Sequence, residues 1–239
     1  MNRISSWFCK IFLAPLVKTL FIKEVKGLKN LPKRNFILVS NHQSYIDIII
    51  DAYLCVPRRF HFIGQIEGFR PPLKWFIAFV YFISGVIPLD RKSDKSREKV
   101  IQEAINVLRK GDILVVYPEG RRSVNGEIQR GRYGVARFLL KTGVPIVPAG
   151  IQGASEILPP KGKFKVKRII KVNVGKPLFF EEEIKKAQEL SEESPEYEDI
   201  LQNITQTMME EIKSLINSVK ESDFSNEQII HVKENSYCQ

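Results

Sequence analysis

The chain has 239 residues, 44% of them hydrophobic, so it can bury one substantial core, and one large domain with attachments is the simplest division. With 37 basic and 27 acidic side chains, its formal charge of +10 calls for an anionic partner, whether nucleic acid, a phosphate-bearing metabolite or an acidic bilayer. Cys9, Cys55 and Cys238 are odd in number and lack Cys-x-x-Cys spacing, which argues against a disulfide framework or a structural zinc site and for a reducing setting.

The first apolar stretch is interrupted by Lys10 and Lys18 and is followed by no small-residue cleavage site, so it is expected to stay on the protein. At about 100° per residue, Ile4, Trp7, Phe8 and Ile11 share one side of a helix, and Arg3, Ser6 and Lys10 share the other. Pro15 should break or kink that helix, after which Leu16, Val17, Leu20, Phe21 and Ile22 make a second short apolar piece. Residues 1–28 therefore read as a shallow, membrane-associating helical segment.

Phe36-Ile37-Leu38-Val39 is the first predicted strand, and its unbroken apolar character suits burial on both faces. A helix over Ser44 to Leu54 and a strand over Arg59 to Ile63 should follow. Trp75 to Leu89 is uncharged, but it is shorter than the roughly 20 residues of a spanning helix and contains Gly85 and Pro88. A buried core helix followed by a strand at Val86 to Leu89, and a segment in contact with lipid, both fit it.

Ser93 or Asp94 can cap a helix that reaches Lys110, with Val100, Ile101, Ala104, Ile105 and Leu108 inward and Gly111 ending it. Strands are expected at Ile113 to Val116 and Pro145 to Val147, around a helix from Val135 to Lys141 that Gly143 closes. Val166 to Val174, with Lys165, Lys167, Arg168 and Lys171, reads as an edge strand protected by charge. Apolar residues from Ile200 to Val219 recur at helical spacing, and the chain from 221 to 239 is polar and expected to be loosely ordered. The alternation predicts an α/β fold with a mixed, largely parallel sheet flanked by helices, over residues 29–220.

His42 follows the first buried strand, at the kind of strand-to-helix turn where α/β proteins concentrate their chemistry. Ser44 can cap the next helix and make Asp47 its third residue, in which case the carboxylate only satisfies backbone amides. The same turn can instead bring Asp47 to His42 Nδ1, fixing the tautomer and leaving Nε2 free as a general base. Asp90-Arg91 follows another strand, and Tyr117-Pro118-Glu119-Gly120-Arg121-Arg122-Ser123 follows a third. Permanently charged, bidentate arginines at strand ends suit a phosphorylated ligand.

In order and spacing, Asn41 to Asp47, Arg91, Pro118 to Ser123 and Val144 to Pro148 resemble the acyltransferase family that includes bacterial 1-acyl-glycerol-3-phosphate and glycerol-3-phosphate acyltransferases. The resemblance spans about Leu31 to Gly153, and it departs from the family's pattern where Arg121 replaces the usual Thr of Pro-Glu-Gly-Thr-Arg-Ser. It implies that His42 and Asp47 are catalytic, and that Arg91, Glu119, Gly120, Arg122 and Ser123 form the phosphate-binding set. The implied reaction needs no metal and no cofactor beyond an acyl-CoA or acyl carrier protein thioester as co-substrate. Lysophosphatidic acid is the expected acceptor, with glycerol-3-phosphate or another lipid hydroxyl as alternatives. Oxyanion donors are expected among backbone amides of the Gly120 loop or near His42.

The expected partners are therefore membrane lipids and these substrates rather than nucleic acid, with the catalytic domain on the cytoplasmic face. A basic nucleic-acid binder is the rival from the sequence pI near 9.5, but no zinc-finger spacing, RNP-like motif or helix-turn-helix supports it. A metal hydrolase built on His42, Asp47 and Glu119 is the enzymatic rival, and the scatter of His42, His61 and His231 disfavours it.

Overall fold

Strand β2 (Ile37–Ser40) is the axis of the architecture, and all four of its residues are buried, as an apolar run between two neighbouring strands requires. The computed structural model describes residues 3–65, 85–123, 126–159 and 162–236. Six further strands flank β2: β1 (Ile22–Lys26), β3 (Phe60–Gln65), β4 (Ile87–Leu89), β5 (Ile113–Val116), β6 (Ile146–Gln152) and β7 (Ile170–Val174). Their order in one sheet is β1-β7-β6-β2-β5-β3-β4. Every pairing is parallel except β6 with β7.

Side chains of β2 alternate between the two faces, as a pleated strand demands. Leu38 joins a core with α2 (Ala14–Leu20), α3 (Ile46–Cys55) and α6 (Ala154–Ile157). Ile37 and Val39 join a second core with α4 (Asp94–Arg109), α5 (Gly134–Thr142), α7 (Glu181–Gln188) and α8 (Pro195–Ser236). The chain thus leaves β2 for one face through α3 and leaves the adjacent β5 for the other through α5. The carboxyl ends of β2 and β5 are therefore a topological switch point, the position at which open α/β sheets bind their ligands.

Several predicted elements form where their local chemistry places them. Ser93 caps α4 by accepting a hydrogen bond from Ser96 N, and Gly143 ends α5 in the left-handed conformation at φ 65°. α8 buries Leu201, Ile204, Met208, Ile212 and Ile216, and its backbone stays helical to Ser236, past the expected end at Val219. No Pro or Gly interrupts it after Pro195. Trp75 to Ser84, the greater part of the aromatic run, lies outside the described residues.

Two expectations are corrected. β7 is not an edge strand, because β1 pairs along its outer side. The lysines that suggested an edge lie before the strand, in the irregular segment 162–169, while Lys171 within β7 is buried. The second apolar piece is not wholly a surface anchor either. Ala14, Val17, Phe21 and Ile22 enter the core, and Ile22 begins β1.

Pro15 does not end the N-terminal helix: α1 (Arg3–Phe8) passes through a π-helical turn, Cys9–Leu13, into α2, and Pro15 sits in the first turn of α2. Of the polar residues of α1, Ser6 faces the protein: it is buried and donates from Oγ to Arg58 O at 2.8 Å. Trp7, Phe8, Ile11, Phe12, Leu13 and Leu16 face outward and are exposed.

α8 can lie on the sheet because Gly150 of β6 has no side chain. A Cβ there would stand 3.0 Å from Ile216 N. Gly150→Val is therefore expected to destabilise the fold by about 1–3 kcal/mol through overpacking, read as a lower urea midpoint with the two-state slope retained.

Candidate functional site

The turn after β2 is built from side chains that imitate backbone. Asn41, buried beyond the end of β2, donates from Nδ2 to Ile151 O at 2.9 Å and accepts from Ile151 N at 2.8 Å through Oδ1. This exchange seals the β2–β6 seam while the main chain turns away. His42 comes next, and both of its peptide groups are held by the loop after β5: its N–H donates to Glu119 Oε1 at 2.9 Å, and its carbonyl accepts from Ser123 N at 2.7 Å.

Asp47 has both of the roles that its sequence position left open. Its Oδ2 accepts from Gln43 N and Ser44 N, each at 2.7 Å, and lies 3.0 Å from His42 Nδ1. With two amides already donating to that oxygen, the imidazole completes the set as an Nδ1–H donor, which leaves Nε2 as the free acceptor. The helix begins at Ile46, so Asp47 is its second residue; Ser44 Oγ accepts from Ile46 N and donates to Leu158 O at 2.6 Å. Asp47 is fully buried and the His42 side chain is 12% exposed, which shields this charge-assisted bond from water.

Tyr117 fixes the plane of the imidazole. Its ring stacks on His42 with centroids 3.9 Å apart and planes 10° apart. Behind it lies a buried polar cluster: Ser40 Oγ donates to Asp51 Oδ2 at 2.7 Å, and the Tyr117 hydroxyl faces the same carboxyl. Burial raises the Asp51 pKa from 3.8 to about 7, a rise that the Ser40 and Tyr117 hydroxyls only partly oppose. Burial likewise raises Tyr117, with the Asp51 charge adding to the effect.

The other expected residues converge on this turn. Glu119 is buried and its pKa raised by desolvation, and its two oxygens are taken by the amides of His42 and Gln129. It therefore staples two loops together. Gly120 adopts φ 70°, and a Cβ there would approach Arg132 Nε to 2.7 Å, so both conformation and space favour glycine. Arg91 reaches the same loop and donates from Nη1 to Gly120 O at 2.8 Å and from Nη2 to Gln65. Ser123 is buried against His42.

Arg122 lies 3.8 Å over the Tyr45 ring and donates from Nη2 to its hydroxyl at 3.1 Å, while its Nη1 has no hydrogen-bond partner among the described residues. Arg121 points elsewhere, donating to Gln129 Oε1 on the exposed side of the loop. The amides of His42, Gly120 and Ser123 are all engaged inside the protein, so those three do not supply the expected oxyanion donors.

Sequence reasoning missed Asp51, Ser40 and the Tyr45 and Tyr117 rings. A second carboxylate one helical turn after Asp47, in the otherwise apolar Ile46–Cys55, was the available signal for Asp51.

A His–Asp pair at the carboxyl end of a central parallel strand, flanked by a second strand end carrying arginines, places an imidazole with a fixed tautomer beside permanent positive charge in an α/β fold. The acyltransferase family model matches residues 23–152, and the chain belongs to that family.

Among its relatives, the 1-acyl-sn-glycerol-3-phosphate acyltransferase BAT2, chloroplastic, of Brassica napus is 29% identical over 179 residues, covering 74% of this chain and 49% of the relative. The 1-acyl-sn-glycerol-3-phosphate acyltransferase of Bacillus subtilis (strain 168) is 29% identical over 157 residues, covering 65% and 73%. The chain spans about half the length of the plant and algal relatives it matches. The crystal structure of the 1-acyl-sn-glycerophosphate (LPA) acyltransferase PlsC from Thermotoga maritima shares the fold, with a TM-score of 0.56, 22% identity, and coverage of 88% of this chain and 86% of that one.

The Asp51 carboxyl makes stability depend on pH. It keeps its proton to about pH 7 when folded but releases it near 3.8 when unfolded, so stability falls as pH rises through that interval. Asp51→Asn, which keeps an acceptor for Ser40, is expected to flatten that slope and to gain up to about 4 kcal/mol relative to the parent above neutrality. Urea melts of both proteins at pH 5 and pH 8 measure the difference; parallel pH profiles would refute the assignment.

Proposed function

We propose that this chain transfers a fatty acyl group from an acyl thioester to the hydroxyl of 1-acyl-glycerol-3-phosphate. The observation that carries the reading is the 3.0 Å contact of His42 Nδ1 with the buried Asp47 carboxylate, which leaves Nε2 for the reaction. The activities for which these relatives are named and the arginines beside the turn support this substrate class.

In this mechanism His42 Nε2 takes the proton from the acceptor hydroxyl as its oxygen attacks the thioester carbonyl carbon. Asp47 stabilises the imidazolium that forms. The tetrahedral intermediate then collapses by breaking the carbon–sulfur bond, and the departing thiolate takes the proton back from His42. No acyl-enzyme is required, since a thioester already carries a good leaving group. The Arg122 guanidinium, whose buried Nη1 has no hydrogen-bond partner among the described residues, is the candidate ligand for the acceptor phosphate, and Arg91 braces the Gly120 loop beside it. Anchoring that phosphate holds the hydroxyl near Nε2 and lowers the entropic part of the barrier. Either acyl-CoA or acyl carrier protein suits the donor role.

Membrane association follows from α1 and α2. Trp7, Phe8, Ile11, Phe12, Leu13 and Leu16 are exposed while Ser6 turns inward, an arrangement suited to a helix lying in the plane of a bilayer surface. No helix among the described residues is long and apolar enough to cross a membrane. Free Cys9 and Cys55 are compatible with a domain on the cytoplasmic face.

His42→Ala is expected to lower kcat by about 100- to 10,000-fold and Asp47→Asn by a similar factor, with vesicle binding unchanged. Full transfer of labelled acyl-CoA in either variant would exclude the mechanism. Arg122→Ala should mainly raise the KM for lysophosphatidic acid, by about 10-fold or more, and should leave the KM for the thioester near the parent value. A panel including glycerol-3-phosphate and lysophosphatidylcholine identifies the acceptor.

A further inference from the structure

One strongly basic segment takes no part in the proposed chemistry. Residues 162–168 have no regular secondary structure, and all are exposed. Lys163, Lys165 and Lys167 alternate there with Phe164 and Val166, whose side chains are 53% and 58% exposed. The segment is nevertheless pinned. Lys165 N donates to Ile157 O at 2.8 Å, Arg168 Nε donates to Ile22 O at 3.0 Å, and the Phe164 ring meets Phe21 edge-on at 5.9 Å.

Its neighbours give the segment a direction. Upstream, Leu158 O is held by Ser44 Oγ, so the segment departs from beside the His42 turn. Downstream it meets the end of α2, and α2 packs on α3, which packs on α6. α3 turns its carboxylates Asp47 and Asp51 inward and leaves Ile48 and Ile49 exposed. Among the described residues, every exposed large hydrophobic apart from Leu28 and Phe179 lies on α1, α2 and their joining turn, on or beside α3, or on this segment. The lysines thus adjoin a run of neighbouring elements, from α1 and α2 to α3, that carries most of the exposed large hydrophobics among the described residues and borders the His42 turn.

Apolar side chains interleaved with lysines match a bilayer with anionic headgroups, since the rings and branched chains enter the acyl boundary while the ammonium groups stay at the phosphates. A duplex nucleic acid offers the same charge and gives Phe164 and Val166 nothing to enter. We propose that Lys163, Lys165 and Lys167, with Phe164 and Val166, form a contact for anionic lipid that docks the domain with its His42 turn facing the headgroups. The assignment rests on the bilayer orientation proposed from α1 and α2 and adds the lipid charge that is recognised.

Co-sedimentation of the full chain with vesicles of phosphatidylcholine alone, and of phosphatidylcholine with phosphatidylglycerol, tests it at low and high salt. The Lys163→Gln/Lys165→Gln/Lys167→Gln variant is expected to lose about 10- to 100-fold of its partitioning onto anionic vesicles, to lose most of the salt dependence, and to bind neutral vesicles as before. Phe164→Ser/Val166→Ser should weaken binding to both vesicle types. Thermal melts matching the parent establish that these exposed changes leave the fold intact.

Unchanged anionic binding by the lysine variant overturns the proposal. So does a lysine variant that loses binding to duplex DNA but none to vesicles. Trp7→Ser/Phe12→Ser addresses α1 and α2 separately: if it binds neutral vesicles as the parent does, the α1–α2 orientation fails, while a lost anionic preference in the lysine variant still upholds the lipid contact.

Discussion

The site depends on the capture of one residue's backbone by a distant loop. His42 gives its N–H to Glu119 and its carbonyl to Ser123, so the turn after β2 and the loop after β5 are a single unit. Two adjacent parallel strands bring these segments together but do not fix their relative height or tilt. Two hydrogen bonds to the successive peptide groups on either side of the His42 Cα fix both, and the buried Glu119 carboxylate extends the constraint to Gln129. The clamp thus fixes the position of His42 from backbone geometry, the kind of rigidity that the proposed general base requires.

Around that clamp the imidazole is fixed by two different forces. Asp47 fixes the direction of Nδ1 through a charge-assisted hydrogen bond, and Tyr117 fixes the ring plane by stacking. The residues behind each differ in character. Asp47 is tied to amides of its own turn, whereas Tyr117 rests against the Ser40–Asp51 pair, one of whose members titrates near neutrality. The arginines are held by the neighbouring loops. Arg91 braces the Gly120 carbonyl, while Arg122 is held flat on Tyr45 with one nitrogen to spare.

How far sequence alone reaches depends on the range of each interaction. α4 was legible because its capping Ser93 and its apolar period are local, and β5 because four apolar residues precede a turn-forming Pro-Glu-Gly. The His42–Asp47 pair was legible as a possibility, since five residues of one turn can close on themselves. The placement of β7 was not, because only the remote β1 shows that the charged stretch before it is a connection rather than an edge. The stack of Tyr117 on His42 and the reciprocal bonds of Asn41 with Ile151 were likewise out of reach, being made across strands 75 and 110 positions apart in the chain.

Asp47 Oδ2 takes two amides and one imidazole, while Oδ1, equally buried, has no hydrogen-bond partner among the described residues. Two of those three donors belong to the backbone and would remain if the imidazole were lost. The carboxylate is thus tied to the folding of the turn as well as to the imidazole. Loss of the imidazole would leave two of the three ties to Asp47 in place, whereas loss of the carboxylate would release Gln43, Ser44 and His42 together.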